Sequence, residues 1–147
     1  MIKRLIFDVD GTLITNVKFS GAIARTLRGI GIYSEENLRR FLQAITTYEQ
    51  TYNNYNRKDY LSHFSLALRT QLPQDFIDIF FEELKSVIPS ENDKIQQTIS
   101  ELSKQYELVL LTNYFKESQL NRLNNMGIGP FFTECYGEEL IKPNEEV

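Results

Sequence analysis

The sequence predicts an α/β fold in which a parallel sheet is interrupted, after its first strand, by a long helical insertion. Three observations lead there. A short apolar run, Leu5-Ile6-Phe7, stops abruptly at Asp8-Val9-Asp10-Gly11. A second run, Tyr106 to Leu111, stops at Thr112-Asn113 and leads into a helical stretch. Residues 18–88, between them, carry helical periodicity with no strand alternation. Short apolar runs with β-branched or aromatic content read as buried strands. Strands alternating with helices at this pitch pair in parallel through right-handed crossovers.

In the insertion, Phe19, Ile23, Leu27 and Ile30 repeat at helical spacing and stop before Gly31. Leu38, Phe41, Leu42 and Ile45 form a second stripe after a Ser34 cap. Leu61, Phe64 and Leu68 form a third. Phe76, Ile79, Phe80, Leu84 and Val87 form a fourth, opened by Pro73 and closed by Pro89. These four stripes make residues 18–88 a helical cap domain, with residues 1–17 and 89–147 as the sheet domain. The sheet domain resumes with a capping-box pattern, Ser90 and Asp93, before a helix marked by Ile95, Ile99 and Leu102. After the second strand, Leu120, Leu123 and Met126 mark a further helix, which Gly127 is placed to end. Phe131 to Tyr136 reads as the third strand.

At 147 residues the chain accommodates one domain, or a small domain with an insertion. Its formal charge of −4, with no basic stripe, argues against a nucleic-acid backbone as partner. No apolar run approaches the roughly 20 residues of a membrane span, and the N-terminus lacks a signal-peptide core. The cytoplasm is the expected location. The single cysteine, Cys135, excludes an internal disulfide and sits among Phe131, Phe132 and Tyr136 as a core residue. The lone histidine, His63, has no neighbours with which to hold a metal. Tyr48, Tyr52, Tyr55 and Tyr60 recur near Arg57 and Lys58, and read first as helix packing and second as pocket lining.

The chemistry concentrates at residues 8–13. Alternate strand residues share a face, so Asp8 and Asp10 leave the first strand close together. They do so at the carboxyl edge, where open α/β sheets hold their ligands. Gly11 permits a sharp turn, and Thr12 offers a hydroxyl and a backbone donor. Two acids this close repel unless a cation or a shared proton relieves them, which describes a metal-assisted site.

Phe7-Asp8-Val9-Asp10-Gly11-Thr12-Leu13 resembles the first motif of the haloacid dehalogenase-like hydrolases, most of which are phosphatases. The strand ending at Thr112-Asn113 resembles the family's second motif, and Ile141-Lys142-Pro143-Asn144 its third. The resemblance implies a Rossmann-like parallel core with an inserted helical cap. It further implies Asp8 as the nucleophile that becomes phosphorylated, Asp10 as general acid and base, and Mg²⁺ held at Asp8 and Asp10. Gly11, Thr12, Thr112, Asn113 and Lys142 would then bind the phosphoryl group of a small phosphorylated metabolite. Carbon–halogen hydrolysis uses the first Asp without metal or second acid, so Asp10 favours phosphorus. Phosphomutase chemistry, and a non-catalytic domain binding a phosphorylated ligand or a protein, are the remaining alternatives.

The family's fourth motif, an acidic strand end that completes the metal site, is missing before Val147. Glu145-Glu146 lacks the apolar strand that precedes that motif. The chain is therefore read as a truncated piece or a degenerate relative, with Met1 and the intact first motif favouring truncation at the far end. Magnesium is expected to bind weakly to the chain as it stands. The first strand is expected to lie at an edge of an incomplete sheet.

Overall fold

The computed structural model describes residues 2–139. Its chain divides into two compact units, Met1–Val17 with Ile88–Val147, and Lys18–Val87. The first unit is α/β. Among the described residues it holds three strands, β1 (Arg4–Phe7), β2 (Glu107–Leu111) and β3 (Phe132–Tyr136), all parallel in the order β1-β2-β3. The second unit holds four helices, α1 (Ser20–Gly29), α2 (Glu35–Thr51), α3 (Arg57–Leu68) and α4 (Phe76–Leu84). Helices α5 (Asn92–Ser103) and α6 (Lys116–Asn125) alternate with the strands of the first unit.

The sheet forms where the sequence is most apolar. Leu108, Val109 and Leu110 are fully buried on β2, the central strand. A strand covered on both faces has no polar alternation, and this run has none. Leu108 and Leu110 join Val9, Leu13 and Ile14 from the segment after β1, Ile99 from α5, and Leu123, Met126 and Ile128 from α6 and its exit. Phe7 and Phe132 meet edge to face at 6.0 Å on the flank of this core. On the wet side, Arg4 bridges the strands by pairing with Glu107 at 3.0 Å and Glu134 at 3.6 Å.

Strand β1 is less buried than a short apolar run suggests. Ile6 is 48% exposed, and β1 pairs only with β2 among the described residues. Among the described residues the strand is thus at an edge, where it was expected. Open strand edges invite further pairing, and Lys3 and Arg4 are the charges that guard this one.

The expected capping box at Ser90 does not form. The residue preceding α5 is Glu91, and the Ser90 hydroxyl donates to the Glu91 carboxylate at 3.1 Å. The Pro89 carbonyl accepts the Asn92 N–H instead, in a turn that starts the helix one residue later than the motif implied.

In the helical unit the core is aromatic. Phe41 stacks on Phe64 at 4.3 Å, and Phe76 and Phe80 complete the cluster. Two helices are capped by side chains, α2 at the expected Ser34 and α3 at Asn56. Ser34 Oγ accepts the Asn37 N–H on α2, and Asn56 Oδ1 accepts the Asp59 N–H on α3. The buried face of α2 is Phe41, Ala44 and Tyr48, so Leu42 is turned outward, contrary to its place in the predicted stripe. Tyr48 and Tyr60 are buried and packed edge to face, 4.9 Å apart, which makes them core residues. No helix among the described residues is long and apolar enough to cross a membrane.

The two ends of the burial range make a direct comparison. Leu110→Ala is expected to destabilise the chain by about 2–5 kcal/mol, because it opens a cavity in the core. Ile6→Ala, at a half-exposed edge position, is expected to cost less than about 1.5 kcal/mol. Urea denaturation followed by circular dichroism separates them, and equal losses would contradict the strand order.

Candidate active site

The site is built at the carboxyl edge of the sheet. Phe7 pairs with Leu110, and Leu111 with Tyr136, so Asp8 and Thr112 leave the sheet at one edge. The Thr112 N–H donates to the Tyr136 carbonyl at 3.0 Å, which extends the β2–β3 ladder to the threonine itself.

After Phe7 the chain turns tightly instead of continuing as a strand. The Val9 carbonyl accepts N–H groups from Thr12, Leu13 and Ile14, and the Gly11 N–H donates to the Ile14 carbonyl. Gly11 sits at φ +80°, a conformation that glycine adopts without strain. This turn buries Val9, Leu13 and Ile14 and leaves Asp10, Gly11 and Thr12 exposed. Backbone donors of Gly11 and Thr12 were expected to face a phosphate. The turn uses them internally, so the contribution left to Thr12 is its exposed side chain.

The two acids take different surroundings. Asp8 is half-buried, and its Oδ1 accepts the Val9 N–H at 2.8 Å. Asp10 points toward α6, and both its oxygens are engaged. Oδ1 accepts from Arg122 Nη1 at 2.9 Å and Oδ2 from Gln119 Nε2 at 2.7 Å. The side chain of Asp10 is 46% exposed, whereas that of Arg122 is only 2% exposed. The cation that relieves Asp10 in this structure is therefore a buried guanidinium.

Gln119 ties the first and second strand ends together. Its amide nitrogen also lies 3.4 Å from Thr112 Oγ1, and that oxygen accepts the Tyr114 N–H at 3.2 Å. Asp10 and Thr112 are thus brought into one hydrogen-bonded group. Asn113 is exposed immediately beyond Thr112, and Lys142 lies outside the described residues.

Sequence reasoning missed Gln119 and Arg122. The expected face of α6 was Leu120, Leu123 and Met126. The buried residues are Ser118, Gln119, Arg122 and Leu123, with Leu120 only partly covered. The available signal was positional. Phe115, Gln119, Arg122, Leu123 and Met126 share a helical face, and two polar side chains on an otherwise apolar stripe call for a partner.

The start of α6 is held by the far end of β3. Lys116 N–H donates to the Glu138 carboxylate at 2.6 Å, a favourable place for a negative charge at a helix N-terminus. Gly137 makes the approach possible, because a Cβ there would lie 2.8 Å from the Lys116 nitrogen. Cys135, on β3, has its thiol pushed up to about 11 by burial. A thiol held protonated is a poor nucleophile, in keeping with a core role.

A family model of haloacid dehalogenase-like hydrolases matches residues 2–146. The chain belongs to that family. Its α/β core is the family's Rossmann-like fold. Among solved structures, the proposed HAD-hydrolase YfnB from Bacillus subtilis, bound to magnesium, is similar with a TM-score of 0.63 at 22% identity. That match covers 94% of this chain and 66% of YfnB. L-2-haloacid dehalogenase from Xanthobacter autotrophicus is similar with a TM-score of 0.63 at 16% identity, over 98% of this chain and 61% of that one. A proposed β-phosphoglucomutase from Thermotoga maritima gives 0.54 at 18% identity, over 97% and 64%. At these identities the likeness is one of fold, and the chain spans 61–66% of the length of these structures. No curated protein matches.

The two glycines that shape the site predict different penalties. Gly11→Ala is expected to cost about 1 kcal/mol from the positive φ alone, since a Cβ there meets nothing within 4 Å. Gly137→Ala is expected to cost about 1–3 kcal/mol, because it drives a methyl group into the first turn of α6. Thermal melting of the two variants checks the order, and a Gly137→Ala protein as stable as wild type would contradict the close approach.

Proposed function

We propose that this haloacid dehalogenase-like hydrolase is a phosphatase acting on a small phosphate monoester through an aspartyl-phosphate. One observation carries the reading: the Asp10 carboxylate is held at the sheet edge by Gln119 and Arg122, in the same group as the Thr112 hydroxyl. A phosphoryl-transfer site needs a nucleophile, a proton carrier and donors for the phosphoryl oxygens. Asp8, Asp10 and Thr112 are of the right kinds and share one edge.

In this reading Asp8 attacks phosphorus, and the leaving alcohol takes a proton from Asp10. Asp10 then removes a proton from the water that cleaves the aspartyl-phosphate, and the cycle closes. Each Asp10 oxygen accepts one hydrogen bond from α6. A carboxylate oxygen has two lone pairs, so a position on each remains for the travelling proton. Thr112 would donate its hydroxyl to a phosphoryl oxygen. Lys142, outside the described residues, is the proposed counter-charge. Residues 18–87 are proposed as a cap that selects the substrate.

The donors present fit magnesium, which prefers hard oxygen ligands and keeps several waters. The Asp8 carboxylate and the Asp10 main-chain carbonyl are the groups that would hold it. No cluster of three acidic, histidine or cysteine side chains is present among the described residues. When bound, the ion supplies positive charge against the phosphate and the nucleophile.

The test is turnover of an aryl phosphate in magnesium by the complete gene product carrying this chain. Asp8→Asn keeps the shape and removes the nucleophilic charge, and it is expected to abolish turnover. Equal rates for wild type and Asp8→Asn would refute the assignment. A wild type that releases halide from a 2-haloacid but no phosphate would favour the dehalogenase reading.

A further inference from the structure

The amide of Gln119 has one orientation that satisfies its neighbours. Arg122 Nη1 donates to Gln119 Oε1 at 2.8 Å as well as to Asp10. A guanidinium offers donors only, so the amide must turn its oxygen toward Arg122. Its nitrogen then faces Asp10 Oδ2 and Thr112 Oγ1. The flipped amide would set a carbonyl against a carboxylate and an NH₂ against the guanidinium.

Thr112 inherits a direction from this. Its oxygen accepts from Gln119 and from the Tyr114 N–H, which uses both lone pairs. What the hydroxyl retains is its proton, which an anion can accept. Both α6 side chains are buried, Gln119 fully, at positions where an aliphatic residue would pack without desolvating a charge.

We propose that Arg122 and Gln119 are positioning residues for phosphoryl transfer. Arg122 sets the Gln119 amide, and together they fix the Asp10 carboxylate and aim the Thr112 hydroxyl proton at the phosphoryl group. The inference rests on the phosphatase reading above. Because one side chain orients the other, the two act as a unit.

Steady-state kinetics on p-nitrophenyl phosphate in magnesium test this, using the complete gene product and its Arg122→Met, Gln119→Met, double, Arg122→Lys and Asp8→Asn variants. Both Met substitutions keep approximate volume and remove the donors. Each is expected to lower kcat about ten- to hundredfold, as loss of alignment does. KM should stay within about threefold, since the loss is felt in the transition state. The double variant should fall no more than about threefold below the worse single one, as groups acting together do. Arg122→Lys keeps the charge but not the fork, and its kcat should lie between wild type and Arg122→Met. If Arg122→Met does not fold, Arg122→Lys carries the test, and a wild-type kcat there overturns the proposal. Folded Met variants with wild-type kcat, or with losses confined to KM or multiplying in the double variant, also overturn it. Those results, with Asp8→Asn inactive, leave the phosphatase reading standing. Turnover persisting in Asp8→Asn overturns both.

Discussion

The arrangement at the sheet edge depends on a buried guanidinium. Arg122 and Asp10 are 112 positions apart in sequence, and their contact joins the turn after β1 to the helix after β2. An unpaired charge at the site of Arg122 would be strongly unfavourable, so its burial requires a carboxylate within reach. Asp10 meets that requirement from a half-exposed position, where it also remains open to a ligand. One interaction thus links the packing of α6 to the placement of a group with catalytic chemistry.

Much of this was legible in the sequence, for identifiable reasons. β2 was legible because Leu108 to Leu111 is apolar without alternation, the pattern of a strand covered on both sides. The turn at Asp8–Thr12 was legible because a glycine follows two acids at a strand end. The helices of the 18–87 unit were legible from aromatic and aliphatic repeats, which burial then narrowed. Leu42 follows Phe41 directly and so lies off the face that Phe41, Ala44 and Tyr48 share, whereas Tyr48 is buried on that face with a partner for its hydroxyl. That hydroxyl donates to the Asn54 carbonyl at 3.2 Å.

The rest was not legible because it depends on contacts distant in sequence. Gln119 and Arg122 are residue types that usually face water on a helix, and their place on the apolar stripe of α6 says that they need a partner but not which one. Their burial is decided by Asp10 and Thr112, which another part of the chain supplies. The resemblance assigns Gly11 and Thr12 to the phosphoryl group, but the sequence does not say whether this glycine turn leaves their N–H groups free. Whether such a turn faces outward depends on which carbonyl it closes on, and here Val9 and Ile14 take the donors. The start of α5 was misread similarly, because Ser90 and Asp93 match a capping box in spacing while Pro89 supplies the turn.

The most direct measurement is a double-mutant cycle for folding stability on Asp10→Asn and Arg122→Met. It needs neither substrate nor metal. If the buried guanidinium organises the edge through Asp10, the coupling should be about 1–3 kcal/mol, the range for contacting residues joined by a charged hydrogen bond. Additivity within about 0.3 kcal/mol would contradict the account.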